Sequence, residues 1–209
     1  MHPNPVFRRE EEARNLSFAR ERGFGTLAVT DGAGAPLLSH VPFLLDAAGT
    51  EADLHLLRSN PIARAGTDEL AARIAVTGPD SYVSPDWYEV ADQVPTWNYV
   101  AVHLTGRLRP LPPDALWDLL DRQAAFFEER LLPKPPWTTD KMSPGVMDKM
   151  MRMILPFRLE VTGIDGTWKL SQNKPDAVRA RAADGVAAYG QGQELAWLAA
   201  LMRGVDTGG

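Results

Sequence analysis

The run Val94-Pro95-Thr96-Trp97-Asn98-Tyr99-Val100-Ala101-Val102-His103 constrains this chain more than any other segment. Read with a period of two, it puts Val100, Val102 and Leu104 on one face and Trp97, Tyr99 and His103 on the other. The aliphatic face belongs in a core. The aromatic face must then meet a partner, a ligand or a covering helix. A long two-sided strand over 97–109 requires neighbouring strands, so the rest of the chain is read around a sheet.

Further strands are expected at 24–30, 36–45, 52–58, 73–78 and 157–162. Asp31-Gly32 with Gly34 marks a tight turn after the first, and 47–50 the turn before the third. Helices are expected over 8–22, ended by Gly23, and over 61–70, where Asn60 is the N-cap and Pro61 the first helical residue. Leu116, Leu120, Ala124, Phe127 and Leu131 give a one-sided helix over 113–131. Ser143-Pro144 opens a Met-rich helix, and two Ala-rich helices lie near 175–188 and 192–203. An Asp165-Gly166 turn is expected after the last strand, and Asn173 is expected to cap the helix beyond it.

Strands do not alternate regularly with helices, and there is no G-x-G-x-x-G or P-loop, which argues against a Rossmann-type domain. The reading is a mainly β fold with peripheral helices, a small β-barrel. It is taken as one domain over 1–209 with a helical C-terminal extension from about 175 to 209.

With 44% hydrophobic and 23% charged residues, the chain has enough apolar content for a real core. It has no cysteine, which removes disulfides, thiolate metal sites and thiol nucleophiles and suits a reducing cytoplasm. The start, MHPNPVFRREEEAR, is too polar for a signal peptide, and the apolar run Leu195 to Met202 is far shorter than a membrane span. His2, His40, His55 and His103 lack metal-ligand spacing, so no metal site is expected. A net charge of −5, and a last helix that carries Glu194 and a lone Arg203, argue against direct DNA binding.

Three constellations carry possible chemistry. In His55-Leu56-Leu57-Arg58-Ser59-Asn60-Pro61 a strand ends in a cation beside a helix start, which reads first as a capped helix with a surface arginine and second as an anion corner. The aromatic face of Trp97, Tyr99 and His103 is either a ligand wall or a surface under a helix. Trp168-Lys169-Leu170-Ser171-Gln172-Asn173 is either a polar wall for a planar ligand or a helix-capping loop.

Taken together, these stretches resemble the FMN-binding negative transcriptional regulators, the PaiB-like family. The matching motifs are Ser39-His40-Val41-Pro42-Phe43, His55-Leu56 with Arg58 and Asn60-Pro61, and Gly78-Pro79 followed by Tyr82-Val83-Ser84-Pro85 and Trp87-Tyr88. VPTWNYVAVH with Gly106 and Lys169-Leu170-Ser171-Gln172-Asn173 complete the set, in the family's order. Asp80 and Pro156 depart from the pattern, standing where the family has His and Gly.

The resemblance implies a split β-barrel, a homodimer, and FMN bound near the dimer interface. Ser39, His40, Val41 and Pro42 would lie along the isoalloxazine ring, with His55 beside them. Arg58, Ser59 and Asn60 would hold the phosphate, and Trp97, Asn98, Lys169, Ser171 and Gln172 would close the site. Three functions stay open: a PaiB-like regulator, a flavin-dependent oxidoreductase, or a flavin-free dimeric interaction module.

Overall fold

The computed structural model describes residues 1–30, 34–65 and 69–204; the turn expected at Asp31-Gly32 lies outside them. The elements in chain order are α1 (Glu12–Arg22), β1 (Phe24–Val29), β2 (Leu37–Leu45), β3 (Glu51–Leu57), α2 (Pro61–Arg64), β4 (Leu70–Val83) and β5 (Thr96–Pro110). They continue with α3 (Ala115–Glu128), α4 (Val146–Met151), β6 (Ile154–Lys169), α5 (Asp176–Tyr189), β7 (Gly192–Gln193) and α6 (Leu195–Met202). The strand order is β1-β2-β3-β6-β5-β4-β7, and β1 also pairs antiparallel with β4, so the order returns on itself. The fold is mainly β with helices, as the periodicities require.

The chain packs as two compact units, one of 22–75 with 104–163 and the other of 1–21 with 76–103 and 164–209. In the first, β2 pairs with β1 (Phe24 opposite Pro42) and with β3 (Phe43 opposite Leu54), and β3 pairs with β6 (Leu54 opposite Phe157). Alternation then sends Leu27, Val41, Phe43, Leu54, Leu56, Ile74, Leu104 and Leu159 inward, each essentially fully buried. The outward side of β3 carries Asp53, which Arg158 and Arg122 of α3 bind through hydrogen bonds of 2.6 and 3.1 Å. The apolar stripe of α3 divides: Leu116, Leu119 and Gln123 are buried, while Leu120, Ala124 and Phe127 are only partly covered.

In the other unit Phe18 of α1, Val76, Val100, Val102 and Trp168 form the core. Ala182, Ala183 and Ala199 are fully buried where α5 packs on α6, small side chains that let the two helices approach closely. The Trp168 indole N–H donates to Asn15 Oδ1 at 2.8 Å.

Three local expectations are corrected. Asp165-Gly166 is no turn, because β6 runs on to Lys169; Gly166 is small because Asn15 packs on it, with Oδ1 2.0 Å from where a Cβ would stand. Asn173 does not cap α5, whose N-cap position is Pro175 without a side-chain hydrogen bond. The fourth strand is longer than 73–78 and passes through Gly78-Pro79. The β1 pairing of β4 covers residues 72–75 and the β7 pairing 80–81, so Pro79 falls between those two pairings.

Candidate functional site

Asn60 builds the corner after β3. Its Oδ1 accepts the Ile62 N–H at 2.9 Å, capping α2 with Pro61 in the first turn, and its Nδ2 donates to Ser39 Oγ at 3.0 Å. Two motifs far apart in sequence thus meet through one amide. Arg58 is exposed; its Nε donates to the Arg152 carbonyl at 2.7 Å, and its terminal amino groups make no hydrogen bond or ion pair among the described residues. Ser59 is exposed between them.

Along β2, Ser39 and His40 point to opposite sides, Val41 is buried and Pro42 is half-buried. His40 Nδ1 shares a 3.0 Å hydrogen bond with Thr26 Oγ1. His55 lies under α3 against the Gln123 side chain, and His55 Nδ1 and Gln123 Nε2 are buried atoms without a hydrogen-bond partner of their own. Burial pushes the His55 pKa below its ordinary value, with the Gln123 contact offsetting part of the effect.

The other unit gathers Asn98, Ser171 and Lys169. Asn98 is fully buried, and its Nδ2 donates to Ser171 Oγ at 2.9 Å, which also meets the Tyr88 hydroxyl at 2.9 Å. Asn98 Oδ1 is buried and unpartnered. Ser171 holds the left-handed region at φ 62, a strained position for a residue with a Cβ, of the kind that clusters at ligand sites. Lys169 donates to the Trp97 carbonyl at 2.8 Å and to Thr96 Oγ1, and burial lowers its pKa. These groups line a cavity of about 180 Å³ with Phe7. Trp97 remains 44% exposed. Gln172 is engaged at both ends of its amide, by the Leu170 N–H and the Trp168 carbonyl, and shapes its own turn.

Sequence reasoning passed over two of these residues. Tyr88 was legible only as part of a motif. Gln123 was legible as the one polar side chain on a stripe otherwise apolar.

The closed antiparallel strand order with inserted helices is the fold of split-barrel flavin-binding proteins. The FAD and heme binding protein from Mycobacterium smegmatis is similar at a TM-score of 0.57 and 18% identity, over 89% of this chain and 82% of that one. A conserved hypothetical protein from Mycobacterium tuberculosis gives 0.55 and 16%, over 83% and 94%. The chain belongs to the family described as "Putative FMN-binding domain", whose model matches residues 1–163. It is 32% identical over 162 residues to Protease synthase and sporulation protein PAI 2 of Bacillus subtilis, spanning 76% of this chain and 75% of that protein. The PaiB-like resemblance therefore stands, and FMN is the cofactor of this chain.

The residues present fit that cofactor. A phosphate needs a cation with unspent donors, which Arg58 supplies beside the capped turn. A flavin edge needs donors and acceptors without partners of their own, and within the 22–75 and 104–163 unit His55 Nδ1 is such an atom. No helix of the described residues is long and apolar enough to cross a membrane.

Proposed function

We propose that this protein is a PaiB-like regulator that works as a cytoplasmic homodimer carrying FMN, with the FMN phosphate on Arg58. The observation that carries the assignment is the Ser39–Asn60 hydrogen bond, which fixes the strand proposed for the ring against the corner proposed for the phosphate. Arg58 and Ser59 face the phosphate, and Asn60 acts by holding the corner in shape. Ser39, His40, Val41 and Pro42 run along the isoalloxazine, with His55 beside them. Asn98, Lys169 and Ser171 are, within their own unit, a polar wall of the kind a flavin edge requires, while Trp97 lies outside their cavity and Gln172 shapes its own turn.

Exposed apolar groups support the dimer. Phe24 and Leu38, 54% and 62% exposed, stand on the outward side of the paired strands β1 and β2, where a second copy would cover them. Bound FMN supplies electron and hydride transfer. The regulator acts without tight binding of naked DNA, since a net charge of −5 gains little from counterion release.

The test is the absorption spectrum of the purified protein, with mass spectrometry of the molecule freed on denaturation and light scattering of the loaded form. A yellow dimer releasing FMN is expected. A colourless monomer that takes up no added FMN overturns the reading.

A further inference from the structure

A cleft of about 420 Å³ lies within the unit of 1–21, 76–103 and 164–209, where the segment leading into α1 meets the turn after β6 and helices α5 and α6. That volume is within the range of small-molecule sites. Arg9 from the lead-in, Arg14 of α1 and Arg179 of α5 line it together, and the buried Leu170 and Leu201 supply its apolar part.

The three guanidiniums are only partly spent. The Arg14 guanidinium carbon stands 4.2 Å from the centre of the Trp168 ring, and one of its amino groups meets Glu10 at 2.7 Å. The Arg179 side chain is only 19% exposed, yet its one partner is Asp176, at 3.0 Å, a carboxylate 90% exposed. A cation so buried against a partner so hydrated is poorly compensated, and an anion inside the cleft would complete it. Arg9 makes no hydrogen bond or ion pair among the described residues. Nearby charges are closed or turned away: Arg8 pairs with Asp165 and Arg203 with Asp184, and the exposed Glu11 and Glu12 do not line the cleft. Three guanidiniums against the Glu10 and Asp176 carboxylates leave one net positive charge.

We infer that this cleft binds a small phosphate monoester, its phosphate on the arginines and its apolar body against Leu170 and Leu201. A phosphate presents three terminal oxygens to several guanidiniums, whereas a single fork satisfies a carboxylate. None of the three arginines belongs to the flavin assignment, so either can fail alone.

The test uses FMN-loaded protein and four probes followed by calorimetry: phenyl phosphate, inorganic phosphate, benzoate and phenol. Phenyl phosphate should bind tightest. Inorganic phosphate, which lacks the apolar body, and benzoate, which lacks the third oxygen, should each bind several-fold more weakly, and phenol not measurably. Arg179→Gln should weaken phenyl phosphate roughly 10- to 150-fold, the range of one hydrogen bond to a charged group. Arg9→Gln, at an exposed position where folding is safe, should weaken it several-fold and leave FMN content unchanged. Failure of phenyl phosphate to bind protein that holds FMN overturns the inference alone. So does wild-type affinity in both variants, or in Arg9→Gln alone should Arg179→Gln fail to fold. Inorganic phosphate or benzoate binding as tightly as phenyl phosphate overturns the ligand class. Loss of FMN from folded Arg179→Gln would put the cofactor's own phosphate on these arginines and overturn a separate site.

Discussion

Asn60 donates to Ser39 across 3.0 Å while its other amide atom caps α2, so one side chain both ends β3 and ties that end to β2. Removing it should cost the cap and the tie together. Asn60→Ala is expected to lose about 2 kcal/mol of stability, roughly half from each. Ser39→Ala loses only the tie and should cost about 1 kcal/mol, whereas Asn60→Asp keeps the capping acceptor and takes a hydrogen bond from the Ser39 hydroxyl in place of the one it gave, so it should cost less. Guanidinium denaturation of the three variants checks the division.

Gly106 sets the spacing between β5 and β6. A Cβ there would lie 2.0 Å from the Glu160 carbonyl oxygen, a backbone atom that cannot move without parting the strands. Gly106→Ala should therefore destabilise by about 3 kcal/mol or more. Gly163→Ala, where a Cβ meets nothing within 4 Å, should stay within about 0.5 kcal/mol. Thermal or chemical unfolding of the pair gives the answer, and equal losses would contradict the close approach.

Stability should fall with acid in two windows. Burial holds His55 below its ordinary 6.5, so the unfolded chain binds that proton first as pH drops. The loss begins near 6.5 and levels off below the folded value. Burial alone would raise the Asp53 carboxyl, but the hydrogen bonds from Arg158 and Arg122 outweigh it and hold the group below 3.8. Its contribution is complete above 3.8 and disappears as pH falls through the lower folded value. Denaturation midpoints of FMN-free protein from pH 8 to 3 should show both slopes. His55→Leu should remove the first and keep the second.

What the sequence made legible was local. The long strand Thr96–Pro110 followed from side chains alternating at a period of two, and the α2 start from Asn60-Pro61, where cap and proline act within one turn. Where packing between distant segments decides, the sequence misled. Gly166 looked like a turn residue but is small to admit Asn15, which comes from α1. The α3 stripe looked like a single buried face, yet Leu120 and Phe127 line a cavity that the segment after the helix creates. The site motifs were legible as strings. That Tyr88 and Asn98 meet on the Ser171 hydroxyl was not, because 83 and 73 residues separate them from it.

The most direct test of the flavin assignment compares FMN and riboflavin binding by wild type and Arg58→Ala. A hydrogen bond to a charged group contributes roughly 1.5–3 kcal/mol, so losing the guanidinium should weaken FMN about 10- to 150-fold. Riboflavin lacks the phosphate, and its affinity should barely change. Lys169→Ala, measured alongside, should leave the FMN-to-riboflavin ratio as in wild type. Equal weakening of both flavins by Arg58→Ala, or of neither, would contradict the placement of the phosphate on Arg58.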